Sequence, residues 1–201
     1  MTLSHPLNRT TFGNPNDEGN LMTLAEAELL LNTWVKNEKL VFHMQQVGHL
    51  MKSYAEVKGY DAYTQRLWHL SGLLHDADWD QWPDDHCRKI IEELEARNQD
   101  PRMIKAIASH GPRYFGVDPD SEMDKMLYAF DELSGFVHAY SLMRPQGYEG
   151  IEIKGFKKRL KDKSFAAQVS REDITDASQR AGITVEELIQ FVIDNQLRGV
   201  V

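Results

Sequence analysis

Leu40, Met44, Val47, Met51 and Tyr54 recur every three or four residues between Glu38 and Val57, which lays one apolar stripe along a helix. The same periodicity recurs along most of the chain. Leu67, Leu70 and Leu74 share a face from Tyr63 to His75, and Leu127, Phe130, Leu133, Val137 and Tyr140 share another after Ser121. Start and stop signals bracket these runs. Thr23 with Glu26, Ser121 with Asp124, Ser170 with Asp173 and Thr184 with Glu187 are capping-box spacings. Asp100-Pro101 reads as an N-cap followed by proline at the first helical position, and Gly59 and Gly182 read as stops. Asp84 or Asp85 is the expected cap of a helix through "HCRKIIEELEARN", and "RYFGVDPD" reads as a loop. Alternating β-branched runs are scarce, so the expected fold is all-α.

At 201 residues the chain suits one domain that buries a core without disulfides, and there is one cysteine, Cys87. Its expected place is half-buried on a helix. The opening twenty residues, rich in Asn, Thr, Gly and Pro, read as a loose arm rather than a signal peptide. No run of about 18 apolar residues suggests a membrane span, and a cytoplasmic protein is expected. The net charge of −8 argues against a nucleic-acid polymer as partner, because phosphate backbones need a basic face. It leaves room for one small phosphorylated molecule. The oligomeric state is open, a homodimer included.

The candidate chemistry lies where polar residues interrupt apolar faces. His43 sits beside the stripe of the second helix, His75-Asp76 closes "LSGLLHD", His110 ends "IKAIASH", and Asp131 lies inside "LYAFDELSGF". Burying such groups unpaired costs several kcal/mol each, to an order of magnitude. A metal cation would satisfy imidazoles and carboxylates together, and so would His–Asp ion pairs. Both readings stand at this point.

His43, then His75-Asp76, then Asp131 resemble the H…HD…D pattern of the HD-domain superfamily of metal-dependent phosphohydrolases. The wording "LVFHMQQVGHLM", "LSGLLHDADWD", "AIASHG", "LYAFDELSGFVHA" and "KKRLKDKSFAAQVSREDI" resembles a group of small bacterial and archaeal HD proteins. The resemblance runs from about Leu29 to the C-terminus. It implies an HD-domain helical bundle over 21–150, after an arm over 1–20 and before a C-terminal helical extension over 151–201 packed on it. It implies a divalent cation (Mn, Fe, Co, Ni, Zn or Mg) held by His43, His75, Asp76 and Asp131. His110 matches a position that serves a second metal in some members. The further histidine usual after it is missing between Gly111 and Phe130, so one metal rather than two is expected.

The implied activity is metal-assisted hydrolysis of a small phosphoester such as a nucleotide or sugar phosphate, with the cation lowering the pKa of water and polarising a phosphoryl oxygen. Asp78 is the candidate for orienting water, and His110 for donating to a phosphate oxygen or the leaving group. For the substrate phosphate the candidates are Arg113, whose guanidinium can form two hydrogen bonds, and Lys158 and Lys161 from the basic stretch Lys154 to Lys163. His138 is expected to pack near the ligands, and Trp79 or Tyr114 is a candidate wall for a base or sugar. Two other functions remain open on the same pocket: a di-iron oxygenase and a non-catalytic nucleotide-binding module.

Overall fold

The computed structural model describes residues 6–9, 11–14, 16 and 18–196. Among them are ten α-helices and no strand: α1 (Leu24–Trp34), α2 (Glu38–Val57), α3 (Ala62–Leu74), α4 (Arg88–Ala96), α5 (Pro101–Ser109), α6 (Pro112–Phe115), α7 (Glu122–Leu142), α8 (Ile153–Lys161), α9 (Arg171–Ala181) and α10 (Val185–Asn195). The protein is all-α, as its periodicity predicts. Among the described residues, no helix is long and apolar enough to cross a membrane.

The starts follow local chemistry. The Thr23, Ser121 and Thr184 boxes are all formed, each with the side chain bonded to the third helical N–H and the acid reaching back. The Ser170 hydroxyl caps α9, and the Asp100 carboxylate caps α5 through the Arg102 N–H. The fourth helix departs from the sequence reading. Pro83–Asp85 forms a separate 3-10 turn, and α4 begins only after Cys87, whose φ of 58° turns the chain sharply. Cys87 is therefore buried at a helix entrance, not half-buried along a helix face. "RYFG" is a short helix, closed by Gly116 at φ 70°.

Central to the bundle is α7, which packs against α2, α5, α9 and α10 and buries Leu127, Phe130, Leu133, Phe136 and Val137. The pairing of α2 with α3 is the most extensive in the molecule. It depends on two facing glycines, since a Cβ on Gly72 would stand 2.8 Å from the Gly48 Cα. That close crossing brings His43 on α2 towards His75 at the end of α3. The C-terminal helices are continuous with the same core, to which they add Phe156, Ile174, Leu188, Ile189 and Val192.

The opening segment differs from the loose arm expected. Its described residues bury Leu7 and Phe12, bond the Leu7 N–H to the Phe115 carbonyl at 3.0 Å, and pair Arg9 with Glu95 at 2.6 Å. Two apolar residues five apart, Leu7 and Phe12, do not show as a periodic signal.

Candidate metal centre

His75 caps the end of α3, fully buried, and its ring is fixed by geometry. Nδ1–H donates to the Gly72 carbonyl at 2.8 Å, so Nε2 carries the lone pair. That Nε2 is buried without a hydrogen-bond partner. It stands 3.5 Å from Asp76 Oδ2 and 3.4 Å from Asp131 Oδ1, while His43 Nε2 stands 2.9 Å from Asp131 Oδ1 and 3.9 Å from Asp76 Oδ2. All four donor atoms lie within 4.8 Å of one another. Atoms about 2.1 Å from a shared cation stand about 3.0 to 3.4 Å apart at right or tetrahedral angles and up to about 4.2 Å apart on opposite sides, so these spacings fit one. His43, His75, Asp76 and Asp131 are thus brought together as the sequence suggests.

A second group shares Asp76. Its Oδ1 faces His86 Nε2 at 3.3 Å and His110 Nε2 at 3.4 Å. The His110 Nδ1–H donates to the Ile107 carbonyl at 2.6 Å, and the His86 Nδ1–H to Asp78 Oδ1 at 2.7 Å. In both rings Nε2 is again the free lone pair. In their neutral form three imidazoles therefore aim lone pairs at one carboxylate, an arrangement that repels unless a proton or a metal ion lies between them. The donor set and the orphaned His75 nitrogen fit metal ions, and each group can hold one.

The electrostatics show the same demand for positive charge, which a proton on His75 meets where no cation does. Burial disfavours a charged His75, but the Asp76 and Asp131 carboxylates outweigh it and raise the imidazolium pKa to about 9. Burial likewise opposes charge on Asp76, and the surrounding imidazoles overcome it and hold its pKa low. Asp131 is held low through His43 and His75, again against burial.

His86 was missed in the sequence because it lies before His110, not in the Gly111–Phe130 interval where the lack of a histidine argued for one metal. Its signal was Asp78 eight residues earlier. That acid is fully buried, and its second oxygen accepts the Ile90 N–H at 3.0 Å, so both oxygens are committed. Asp78 therefore orients His86 and reaches no substrate water. His110 turns Nε2 onto Asp76 Oδ1 at 3.4 Å and belongs to the group that could hold a metal ion. Cys87 donates its thiol to the Ile107 carbonyl at 3.2 Å, and burial first, then Asp78 and Asp76, push its pKa well up, which makes it a poor nucleophile.

Both groups contribute to a cavity of about 470 Å³, which Asp76, His86, His110 and Asp131 line. Trp79 and Tyr114 also line it, each partly exposed. Arg113 lines it too, but one guanidinium nitrogen already meets Glu172 at 2.7 Å and Asp173 at 3.2 Å. Lys158 and Lys161 are exposed on α8 and are not part of the lining. His138 packs on Phe42, next to His43, as expected, with Nδ1 2.5 Å from the Tyr148 hydroxyl. Lining residues that were not anticipated include Tyr128, Glu132, Gln168 and Asp173. Glu132 accepts the Ser170 N–H at 3.1 Å, and burial, then Asp131, push its pKa up to about 8.

Comparison with protein-family models, with curated proteins and with solved structures finds no match to this chain.

Proposed function

We propose that the protein is a metal-dependent phosphohydrolase acting on a small phosphoester, whose two His/Asp groups, sharing Asp76, would each hold a cation. One observation carries the reading: three rings with committed Nδ1–H groups turn their free Nε2 lone pairs onto Asp76 at the wall of a substrate-sized cavity. His43, His75, Asp76 and Asp131 would hold one cation, and Asp76, His86 and His110 the other. Cations bound there supply a nucleophilic water at neutral pH and polarise the phosphoryl oxygens. Asp78 keeps His86 in the right tautomer. Phe115, with its ring 5.0 Å from that of His110 and 5.3 Å from that of His86, keeps water off their edges. Glu132 is the cavity carboxyl outside both groups and the Arg113 pair, and we assign it the proton that the departing alkoxide takes. The motif resemblance to HD-domain phosphohydrolases supports the same chemistry.

The test is metal content together with phosphate release. The wild type should hold about two cations per chain and release phosphate from simple monophosphates with Mn, Co, Ni or Mg. Asp76→Ala should lose both activities while its helical circular dichroism persists. Full metal occupancy in Asp76→Ala would refute the site.

A di-iron oxygenase is the second reading, favoured by the carboxylate shared between two mixed His/Asp groups. Iron near two per chain with substrate-dependent dioxygen uptake, and no phosphate release, would select it.

A further inference from the structure

The cavity wall beyond the ligand groups has a chemistry of its own. Tyr128 and Glu132 lie one turn apart on α7, and Asp173 reaches the same lining from α9. Tyr128 is 2 % exposed and Asp173 1 %. The Tyr128 hydroxyl makes no hydrogen bond of acceptable geometry among the described residues, although the Asp173 carboxylate is near enough to act on it. A buried hydroxyl left without a partner at a cavity wall costs stability, which a bound molecule can return.

The charges along this wall narrow what that molecule is. Outside the ligand groups, the charged side chains of the lining are Glu132, Asp173 and Arg113. Arg113 is bound to Asp173 and Glu172 and is not a free cation. A second phosphate would therefore meet the Asp173 carboxylate and the Glu132 carboxyl, with no unpaired Lys or Arg in the lining. Hydroxyl or amino groups would instead find an acceptor in the Asp173 carboxylate, another in the carbonyl oxygen of the Glu132 carboxyl, and a partner for the Tyr128 hydroxyl.

Resting on the phosphohydrolase reading, we propose that Tyr128, Glu132 and Asp173 select a monophosphate ester whose alcohol half carries hydrogen-bond donors, and that they reject substrates with a second phosphate. Tyr128 and Asp173 are the specificity-determining pair. The cavity volume suits a phosphorylated polyol, sugar or amino alcohol.

The experiment compares matched probes on the Mn-loaded full chain: glycerol 3-phosphate against propyl phosphate, and fructose 6-phosphate against fructose 1,6-bisphosphate. The wild type should favour the first of each pair by about tenfold or more in kcat/KM, since a site built to bond a hydroxyl discriminates against its absence. Tyr128→Phe keeps the ring and removes only the hydroxyl, and should cut the glycerol-to-propyl ratio by about fivefold. Asp173→Asn should cut it further, and its melting temperature reports separately on the lost Arg113 pair. Calorimetric binding of the same four probes reads the preference without turnover. Absence of hydrolysis with the binding preference retained would refute the hydrolase and leave the recognition wall standing. Equal affinity within each pair, or ratios unmoved in both variants, would overturn the recognition wall.

Discussion

At the residue scale, single atoms decide what each polar group can do. Asp78 has no free oxygen, so Asp78→Ala should act through His86 rather than on substrate. The variant should keep one cation and lose the other, read as a fall in bound metal from about two per chain to about one. It should also melt lower, because the buried Ile90 N–H loses its acceptor, a loss of about 1–3 kcal/mol. His86→Ala should show the same stoichiometry without that loss of backbone bonding. Glu132→Gln separates proton donation from metal binding. It should lower kcat on alkyl phosphates about 100-fold, and much less on p-nitrophenyl phosphate, whose leaving group needs no proton. Equal losses on both esters would remove the donor role. The four residues of the first group were legible because they are the polar groups that interrupt apolar helix faces. His86 was not, because it sits on an irregular segment between the 3-10 turn and α4, where spacing carries no face information.

At the element scale, the helices that announce themselves are those with caps of their own. The Thr23, Asp100, Ser121, Ser170 and Thr184 starts were legible as written, since each cap bonds within three residues of itself. The α4 entrance depends instead on tertiary contacts: Asp78 accepts the Ile90 N–H, and the Cys87 thiol bonds to α5. Aspartates at 84 and 85 looked like caps but end the 3-10 turn. The crossing of α2 and α3 was likewise hidden, because a glycine in a helix reads only as a weak helix former. Gly72→Ala tests it. The added methyl would meet Gly48 backbone at 2.8 Å, so the helices must separate, a destabilisation of about 1–3 kcal/mol. The same separation moves His43 from His75, so metal affinity should fall with stability. Gly59→Ala, at a stop with φ 72° and open space around it, should destabilise without touching metal binding.

At the scale of the whole molecule, the opening segment and the C-terminal helices both belong to one packed body around the candidate centre. Asp100 is the tie for the first. Its backbone N–H donates to the Asn20 carbonyl at 2.9 Å, and Gly19 lies so close that a Cβ would stand 2.5 Å from the Asp100 Cα. Its buried carboxylate accepts from Tyr63 at 2.8 Å and Arg102 at 2.7 Å, while Tyr63 also donates to the Gly19 carbonyl. Burial alone would raise the Asp100 pKa, but the Arg102 and Tyr63 hydrogen bonds prevail and hold it below the ordinary value. A carboxyl depressed in the folded state contributes stability that is fully present above its unfolded pKa of about 3.9 and is lost as pH falls through the folded value. Melting temperature should therefore hold level near neutrality and decline below about pH 4. Asp100→Asn should start lower at neutral pH and lose part of that acid slope. Because the segment reaches Phe115 through Leu7, and Phe115 packs on His86 and His110, releasing it should also open this side of the centre. Limited proteolysis before residue 20 should rise in Asp100→Asn at pH 7, and occupancy of the second cation should fall with it. Unchanged proteolysis with a normal acid slope would show that the segment is held by other contacts.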